Sequence, residues 1–340
     1  MQTPEKMRAW EIVGEQGIDG LELNTRACGE PQAGEVLVRV RASSLNYRDL
    51  ATILNPATRV PAYPRIPNSD CAGEIVAVGP GVSRVAPGDR VAGCFFQNWT
   101  DGGISPAAME SALGGAIDGV LGEYAMLSEQ GVVHMPEHLS FAQGACLPCA
   151  AVTAWNCLMH AGQVQADDTV LLLGTGGVSV IALQLAVAHG AKVIITSSDD
   201  SKLERARSLG AEHTINYRTH SEWDAAVLEL TGGAGADFAL EVGGGGTLPS
   251  TLNAVRIGGR IALIGVLTQG EIDPTTIMRK SICLQGVYVG SRRMFEDMNR
   301  FIASQEIVPV IDRHFPFDAA RDAFHHLQTA NHFGKLVVDL

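Results

Sequence analysis

Residues 169–189 constrain the fold more than any other stretch of the chain. Thr169-Val-Leu-Leu-Leu173 is a continuous apolar run, the pattern of a strand buried on both faces. Gly174-Thr-Gly176-Gly177-Val178-Ser179 follows at once, and Val178 to His189 then carries helical spacing. A glycine turn leading from strand to helix presents backbone N–H groups and the positive helix end to an anion. Gly174 permits the tight turn, Gly176 lets phosphates approach the main chain, and Gly177 and Val178 open the helix. Ser179 stands where the third glycine of a dinucleotide fingerprint falls, and it is small enough to keep helix and strand close. The competing reading is a turn of an α/β protein that holds no ligand.

The alternation continues downstream. Lys192-Val-Ile-Ile-Thr196 reads as a strand. Ser201 to Leu209 reads as a helix, with Asp199 or Asp200 as N-cap and Gly210 as its stop. A strand at His213 to Asn216, a helix at Ser221 to Leu230 and a strand at Ala236 to Val242 follow. A helix near Leu248 to Val255 and a strand at Arg260 to Ile264 complete the series. Repeated β–α units imply a parallel sheet with helices on both faces.

The earlier residues differ. Glu35-Val-Leu-Val-Arg-Val-Arg41 alternates as a half-buried strand does. Ala72 to Gly79 is a second strand, closed by Pro80-Gly81, and Pro87-Gly88-Asp89-Arg90 is another turn. Short strands with Gly and Pro between them predict a small barrel-like domain. Residues 94–120 read as a long loop, either a lid or a surface excursion without chemistry. Lys335-Leu-Val-Val-Asp339 returns the C-terminal tail to the first domain. A chain of 340 residues is expected to hold two domains, here 1–128 with 293–340, and 129–292.

A site for a dinucleotide must also choose between NAD and NADP. An NAD site carries Asp or Glu at the end of the next strand, for the ribose 2′-OH. This sequence has Thr196-Ser197-Ser198 there, two serine hydroxyls and no carboxylate, with Lys202 four residues further. Tyr217 follows the next strand, placed to cover the adenine or reach a phosphate. NADP(H) is the expected cofactor. Against this, Lys202 is equally a solvated helix charge, and Asp199 or Asp200 reaches the ribose if the turn differs. Gly243, Gly265 and Val266 end later strands at the same sheet edge, as neighbours of the ribose and nicotinamide or as plain turn residues.

The net charge of −12 argues against nucleic acid or an anionic membrane as partner. The N-terminus has no apolar run of signal length, and no stretch reaches roughly 18 apolar residues. A cytoplasmic protein with a small-molecule substrate is expected. Seven scattered cysteines, an odd count, do not make a disulfide framework. Cys146 and Cys149 form a C-x-x-C with no second pair beside it, and they read as buried thiols.

Ala42-Ser-Ser-Leu-Asn-Tyr-Arg-Asp-Leu50, Gly73-Glu-Ile-Val-Ala-Val-Gly79, Pro87-Gly-Asp-Arg-Val91, Leu147-Pro-Cys-Ala-Ala-Val-Thr153, Gly174–Ser179 and Gly334-Lys335 stand in a fixed order. In that order and spacing the chain resembles the medium-chain dehydrogenase/reductases, and most closely their quinone oxidoreductase-like branch. The resemblance implies a doubly wound Rossmann sheet, a β-rich GroES-like substrate domain and a homodimer. Zinc alcohol dehydrogenases of this superfamily bind their metal with Cys, His and Cys. The matching positions here are Asn46, Ser69 and Cys149, so no metal is expected. The four cysteines of the structural-zinc lobe are missing too.

In quinone oxidoreductase-like relatives, the residues matching Asn46 and Thr153 lie by the nicotinamide. Tyr47 is the candidate donor to the substrate oxygen, or else an aromatic packed beside the cleft. Lys335 matches a position that closes on the cofactor. The implied activity is NADPH-dependent hydride transfer to a quinone or α,β-unsaturated carbonyl. The alternatives are an alcohol dehydrogenase of the same superfamily and a cofactor-binding protein without turnover.

Overall fold

The computed structural model describes residues 4–60 and 62–340. Residues 1–3, part of the N-terminal stretch judged above, and Pro61 lie outside them. The chain forms two units, one reaching to Val152 and joined by Gly290–Leu340, the other Thr153–Val289. The boundaries expected from sequence, after 128 and before 293, fall inside the first unit. Phe141–Ala145 packs on strands of that unit and so belongs with it.

In the first unit the chain forms β1 (Lys6–Ile12), β2 (Leu21–Ala27), β3 (Glu35–Ser44), β4 (Asp70–Val78), β5 (Arg90–Gly93), β6 (Tyr124–Ser128) and β7 (Val132–His134). The second unit holds β8 (Thr169–Leu172), β9 (Lys192–Ser197), β10 (His213–Asn216), β11 (Ala236–Glu241), β12 (Val255–Leu263) and β13 (Cys283–Gly286). The chain then returns with β14 (Ile311–Pro316) and β15 (Lys335–Asp339).

The first unit pairs β1 with β2 and builds a seven-stranded sheet in the order β14-β15-β3-β4-β5-β7, with β6 also on β3. Over Glu35–Arg41 β3 is half-buried, with Arg39 exposed, except that Leu37 on the polar side of the alternation is buried as well. Val36, Val38 and Val40 enter a core with Cys71, Ile75 and Val91. Leu37 points into a second core with Trp10, Ile53 and Phe324. Each such aliphatic side chain contributes roughly 1.5–3 kcal/mol on burial. The close approach of β3 and β4 explains Gly73, where a Cβ would lie 2.1 Å from the Arg39 carbonyl oxygen.

The 94–120 segment is a loop but not a free lid. Phe95 and Phe96 are buried, their ring centroids 4.6 Å apart. Leu113 N–H donates to Phe95 O, and the N–H groups of Arg292 and Arg293 donate to Trp99 O and Thr100 O. Residues 101–107 at its tip are exposed.

The second unit is a six-stranded sheet in the order β10-β9-β8-β11-β12-β13, every neighbouring pair parallel. The order reverses between β8 and β11, which is where a doubly wound sheet opens a crevice at its carboxyl edge. The helix Gly177–Ala188 carries Val180, Ile181, Leu183 and Leu185 buried on several sides, because it lies inside the unit. Helices Trp223–Leu230 and Leu248–Ala254 cover Leu171, Ile194 and Ile261 in one core. All seven cysteines are free thiols. No helix among the described residues is long and apolar enough to cross a membrane.

Candidate active site

The carboxyl ends of β8 to β12 converge on one edge of the second unit. Gly174 leaves β8 at φ +70°, a conformation that favours glycine. Gly176 has an ordinary φ of −79° and caps the helix Gly177–Ala188 without any side-chain bond. A Cβ at Gly174 or Gly176 would meet nothing within 4 Å. Packing therefore does not account for Gly176. Open space in front of a helix N-terminus is what a pyrophosphate needs, so this turn fits a dinucleotide. Ser179 donates to Leu173 O at 2.7 Å, which ties the helix to the strand end in place of a third glycine.

Along the same edge, Gly174 N–H donates to Thr196 Oγ1 at 3.2 Å, and Ser197 lies buried with its hydroxyl 3.4 Å from that of Thr175. Tyr217 is exposed, and its N–H donates to Ser197 O at 3.1 Å, which brings the ends of β9 and β10 together. Ser198 and Lys202 are half-buried beside them. Asp199 caps the helix Asp200–Ser208, accepting from the Ser201 N–H and hydroxyl and from Lys202 N–H. The Ser201 bond first, with those N–H groups, holds its carboxyl below the usual range. Asp200 accepts from Asn216 Nδ2 at 2.8 Å. Each carboxylate thus bonds through its Oδ1, and both residues are exposed.

Gly243 and Gly265 have packing reasons of their own. A Cβ on Gly265 would lie 1.5 Å from Val242 O, and one on Gly243 would lie 2.3 Å from Thr247 Oγ1. Val266 is 78 % exposed. Beneath these glycines lies Glu241, fully buried, a residue whose part the sequence did not disclose. Its Oε1 accepts from Gly243 N–H (2.6 Å), Gly244 N–H (3.0 Å) and the Thr247 hydroxyl (2.7 Å).

Thr153 is buried in the second unit, in an α-helical turn flanked by π-helical segments. Such wide turns recur at functional sites.

The first unit gathers a second polar cluster where three strands end. Val337 pairs with Ser44, and Ser44 with Asp70. That register sets Lys335 beside Asn46 and Asp70. Lys335 Nζ donates to Leu45 O at 2.7 Å and to Asn46 Oδ1 at 2.5 Å, with Asp70 Oδ2 at 3.9 Å. Asp70 is fully buried and accepts from the hydroxyls of Ser44 and Ser69 and from Cys149 N–H. Asp49 accepts from Asn46 N–H and Arg48. Burial raises its carboxyl pKa, against the opposing pull of Arg48. Arg48 also donates to Leu113 O and lies 4.8 Å over the Phe95 ring. Tyr47, next along, is 56 % exposed.

This cluster does not fit zinc. Positions 46, 69 and 149 supply an amide, a hydroxyl and one thiol, and an ammonium already engages the amide oxygen. Burial, then the nearby Asp70, pushes the Cys149 thiol well up. Among the described residues no group of three His, Cys, Asp or Glu is placed to hold a metal. The cluster was hidden in the sequence because 289 positions separate Lys335 from Asn46. The sequence singles out Asn46, Ser69, Cys149 and Lys335 each by itself, but not their meeting around Asp70.

Two family models match the chain: a zinc-binding dehydrogenase model over residues 177–304, and an alcohol dehydrogenase GroES-like domain model over residues 32–137. A zinc-type alcohol dehydrogenase-like protein of Schizosaccharomyces pombe is 44 % identical, over 90 % of this chain and 91 % of its own. The quinone oxidoreductase of Rattus norvegicus is 29 % identical over 99 % of both chains. A solved structure from Sinorhizobium meliloti, provisionally described as an alcohol dehydrogenase, is 40 % identical over the whole of both chains, with a TM-score of 0.93.

Proposed function

The chain belongs to the medium-chain dehydrogenase/reductase superfamily, and from that premise we propose an NADPH-dependent, zinc-independent oxidoreductase that acts on a quinone or an α,β-unsaturated carbonyl. The observation that carries this reading is the donor set at Asn46, Ser69 and Cys149, where a catalytic zinc would need thiolate and imidazole ligands. Without a Lewis acid, a simple alcohol or ketone loses its main electrophile. An enone or quinone is already activated and needs only hydrogen-bond donors at its oxygen.

In this reading Gly174, Gly176, Gly177 and Val178 receive the pyrophosphate at the helix N-terminus. Ser197, Ser198, Lys202 and Tyr217 receive the 2′-phosphate and adenine. Thr196-Ser197-Ser198 at the end of β9 supports NADP over NAD, since these positions bring hydroxyls and no carboxylate to the ribose. Gly243, Gly265 and Val266 border the ribose and nicotinamide, and Thr153 contacts the nicotinamide. The reduced coenzyme, when bound, supplies the hydride. Asn46 and Tyr47 donate to the substrate oxygen on which negative charge grows. Lys335, expected at the cofactor, has its ammonium turned to Leu45 and Asn46.

The partner we propose is a second copy of the chain. β13 is an edge strand with Cys283 exposed, and Ile257 and Met278 in the preceding stretch are exposed as well. Unpaired edges of this kind are commonly covered.

NADPH oxidation by the purified protein, followed across a panel of quinones and enones, tests the activity. Turnover with at least one acceptor, and slower turnover with NADH, is the expected result. Coenzyme binding with silence across the panel would replace this reading with that of a cofactor-binding protein.

A further inference from the structure

Lys335 is the only buried lysine among the described residues. An ammonium group donates and never accepts. The Asn46 atom that faces it must therefore be the carbonyl oxygen, which fixes the orientation of the amide. Nδ2 is left as the outward donor. Asn46 is only 9 % exposed, and its Nδ2 has no partner among the described residues. Buried amide donors are nearly always paired, so this one points to an acceptor supplied from outside the chain.

We infer that Lys335 is a positioning residue, which holds the Asn46 amide so that Nδ2 donates to the carbonyl oxygen of the substrate. The inference rests on the reductase reading above. The ammonium withdraws electron density through Oδ1, and linked hydrogen bonds of this kind strengthen one another. Positive charge thus reaches the substrate oxygen at one remove, through a neutral amide. The other role for Lys335, a bond to the coenzyme, has at most one ammonium N–H to draw on while Leu45 O and Asn46 Oδ1 hold the other two.

Three measurements test this. First, Lys335→Met should lower kcat about a hundredfold, the loss typical of a removed oxyanion donor, with the NADPH dissociation constant held within about twofold. Second, Asn46→Asp keeps an acceptor for Lys335 but has no N–H, and should lose as much kcat as Asn46→Ala. The double variant Asn46→Ala/Lys335→Met should be no slower than Asn46→Ala alone, since the two act as one unit. Third, with selective ¹⁵N-asparagine labelling, the side-chain amide signal missing from Asn46→Asp should shift in Lys335→Met.

If Lys335→Met does not fold, Lys335→Gln, which keeps an N–H donor but no charge, is measured in its place with the same expectations. Full kcat in the Lys335 variant, an unmoved Asn46 signal, or a tenfold weaker NADPH affinity with kcat intact would each overturn the proposal. A silent acceptor panel for every form together with a shifted Asn46 signal would sink the reductase reading and leave the orienting contact standing.

Discussion

The hydroxyl of Thr251 donates to the buried carboxylate of Glu241 at 2.5 Å and so supplies the fourth hydrogen bond to a charge that lies under the Gly243–Gly246 run. A buried carboxylate is tolerable only while its acceptor sites are filled. Thr251→Val should therefore destabilise the protein by about 1.5–3 kcal/mol, the range for a bond to a charged group. Glu241→Ala should remove more, because it strands the N–H groups of Gly243 and Gly244 and takes a bond from both threonine hydroxyls at once. Thermal and urea unfolding measure both. A Glu241→Ala protein as stable as the parent would show that the glycine run is not held from below.

Gly174 and Gly176 should separate under alanine substitution. Gly174→Ala forces a side chain onto a φ of +70° and should cost about 1–2 kcal/mol in stability. Gly176→Ala meets neither strain nor a neighbour, so its unfolding should stay within about 0.5 kcal/mol of the parent. Its methyl group enters the space assigned to pyrophosphate, and NADPH should bind about tenfold or more weakly. Fluorescence titration reads this. Undiminished affinity in a well-folded Gly176→Ala protein would move the pyrophosphate elsewhere.

Coenzyme choice turns on the end of β9. Ser198→Asp places a carboxylate against the 2′-phosphate and should raise the KM for NADPH by about tenfold or more, with NADH improved or unchanged. Lys202→Ala should act in the same direction. Steady-state kinetics with both coenzymes distinguish the effect from general damage. Equal losses with NADPH and NADH would indicate that neither residue meets the phosphate.

Chelators should leave the enzyme untouched. Prolonged treatment with a strong zinc chelator is expected to change neither melting temperature nor turnover, and metal analysis should find no stoichiometric zinc. The thiols give a second check. Burial pushes Cys71, Cys94 and Cys146 up to about 12, so at pH 8 they remain protonated and unreactive. A thiol reagent applied to the native protein should label Cys283 first, with the buried cysteines reacting after unfolding. Rapid labelling of Cys149 that zinc prevents would contradict the metal-free description.

The β8–turn–helix element was legible because all its determinants are local: a run of Val and Leu, the glycines, and a small residue at Ser179. The alternation of the second unit was legible for the same reason, and of the two cap candidates, Asp199 and Asp200, the structure uses Asp199. What escaped was set by distant neighbours. Leu37 is buried because Trp10 and Phe324 cover the face it was expected to expose. Phe95 and Phe96 turn 94–120 inward, which spacing alone does not reveal. Gly265 is glycine because of Val242 O, a contact between loops that no motif encodes. The Lys335–Asn46 bond depends on β15 entering beside β3, a pairing of the two ends of the first unit.

That insertion of β15 beside β3 imposes an order on synthesis. The ribosome must translate all of Thr153–Val289 before it reaches the strand that bears Lys335. A nascent chain can complete the nucleotide-binding sheet while the edge of β3 still waits for its neighbour. Dinucleotide binding should therefore mature earlier on the growing polypeptide than reduction of an acceptor.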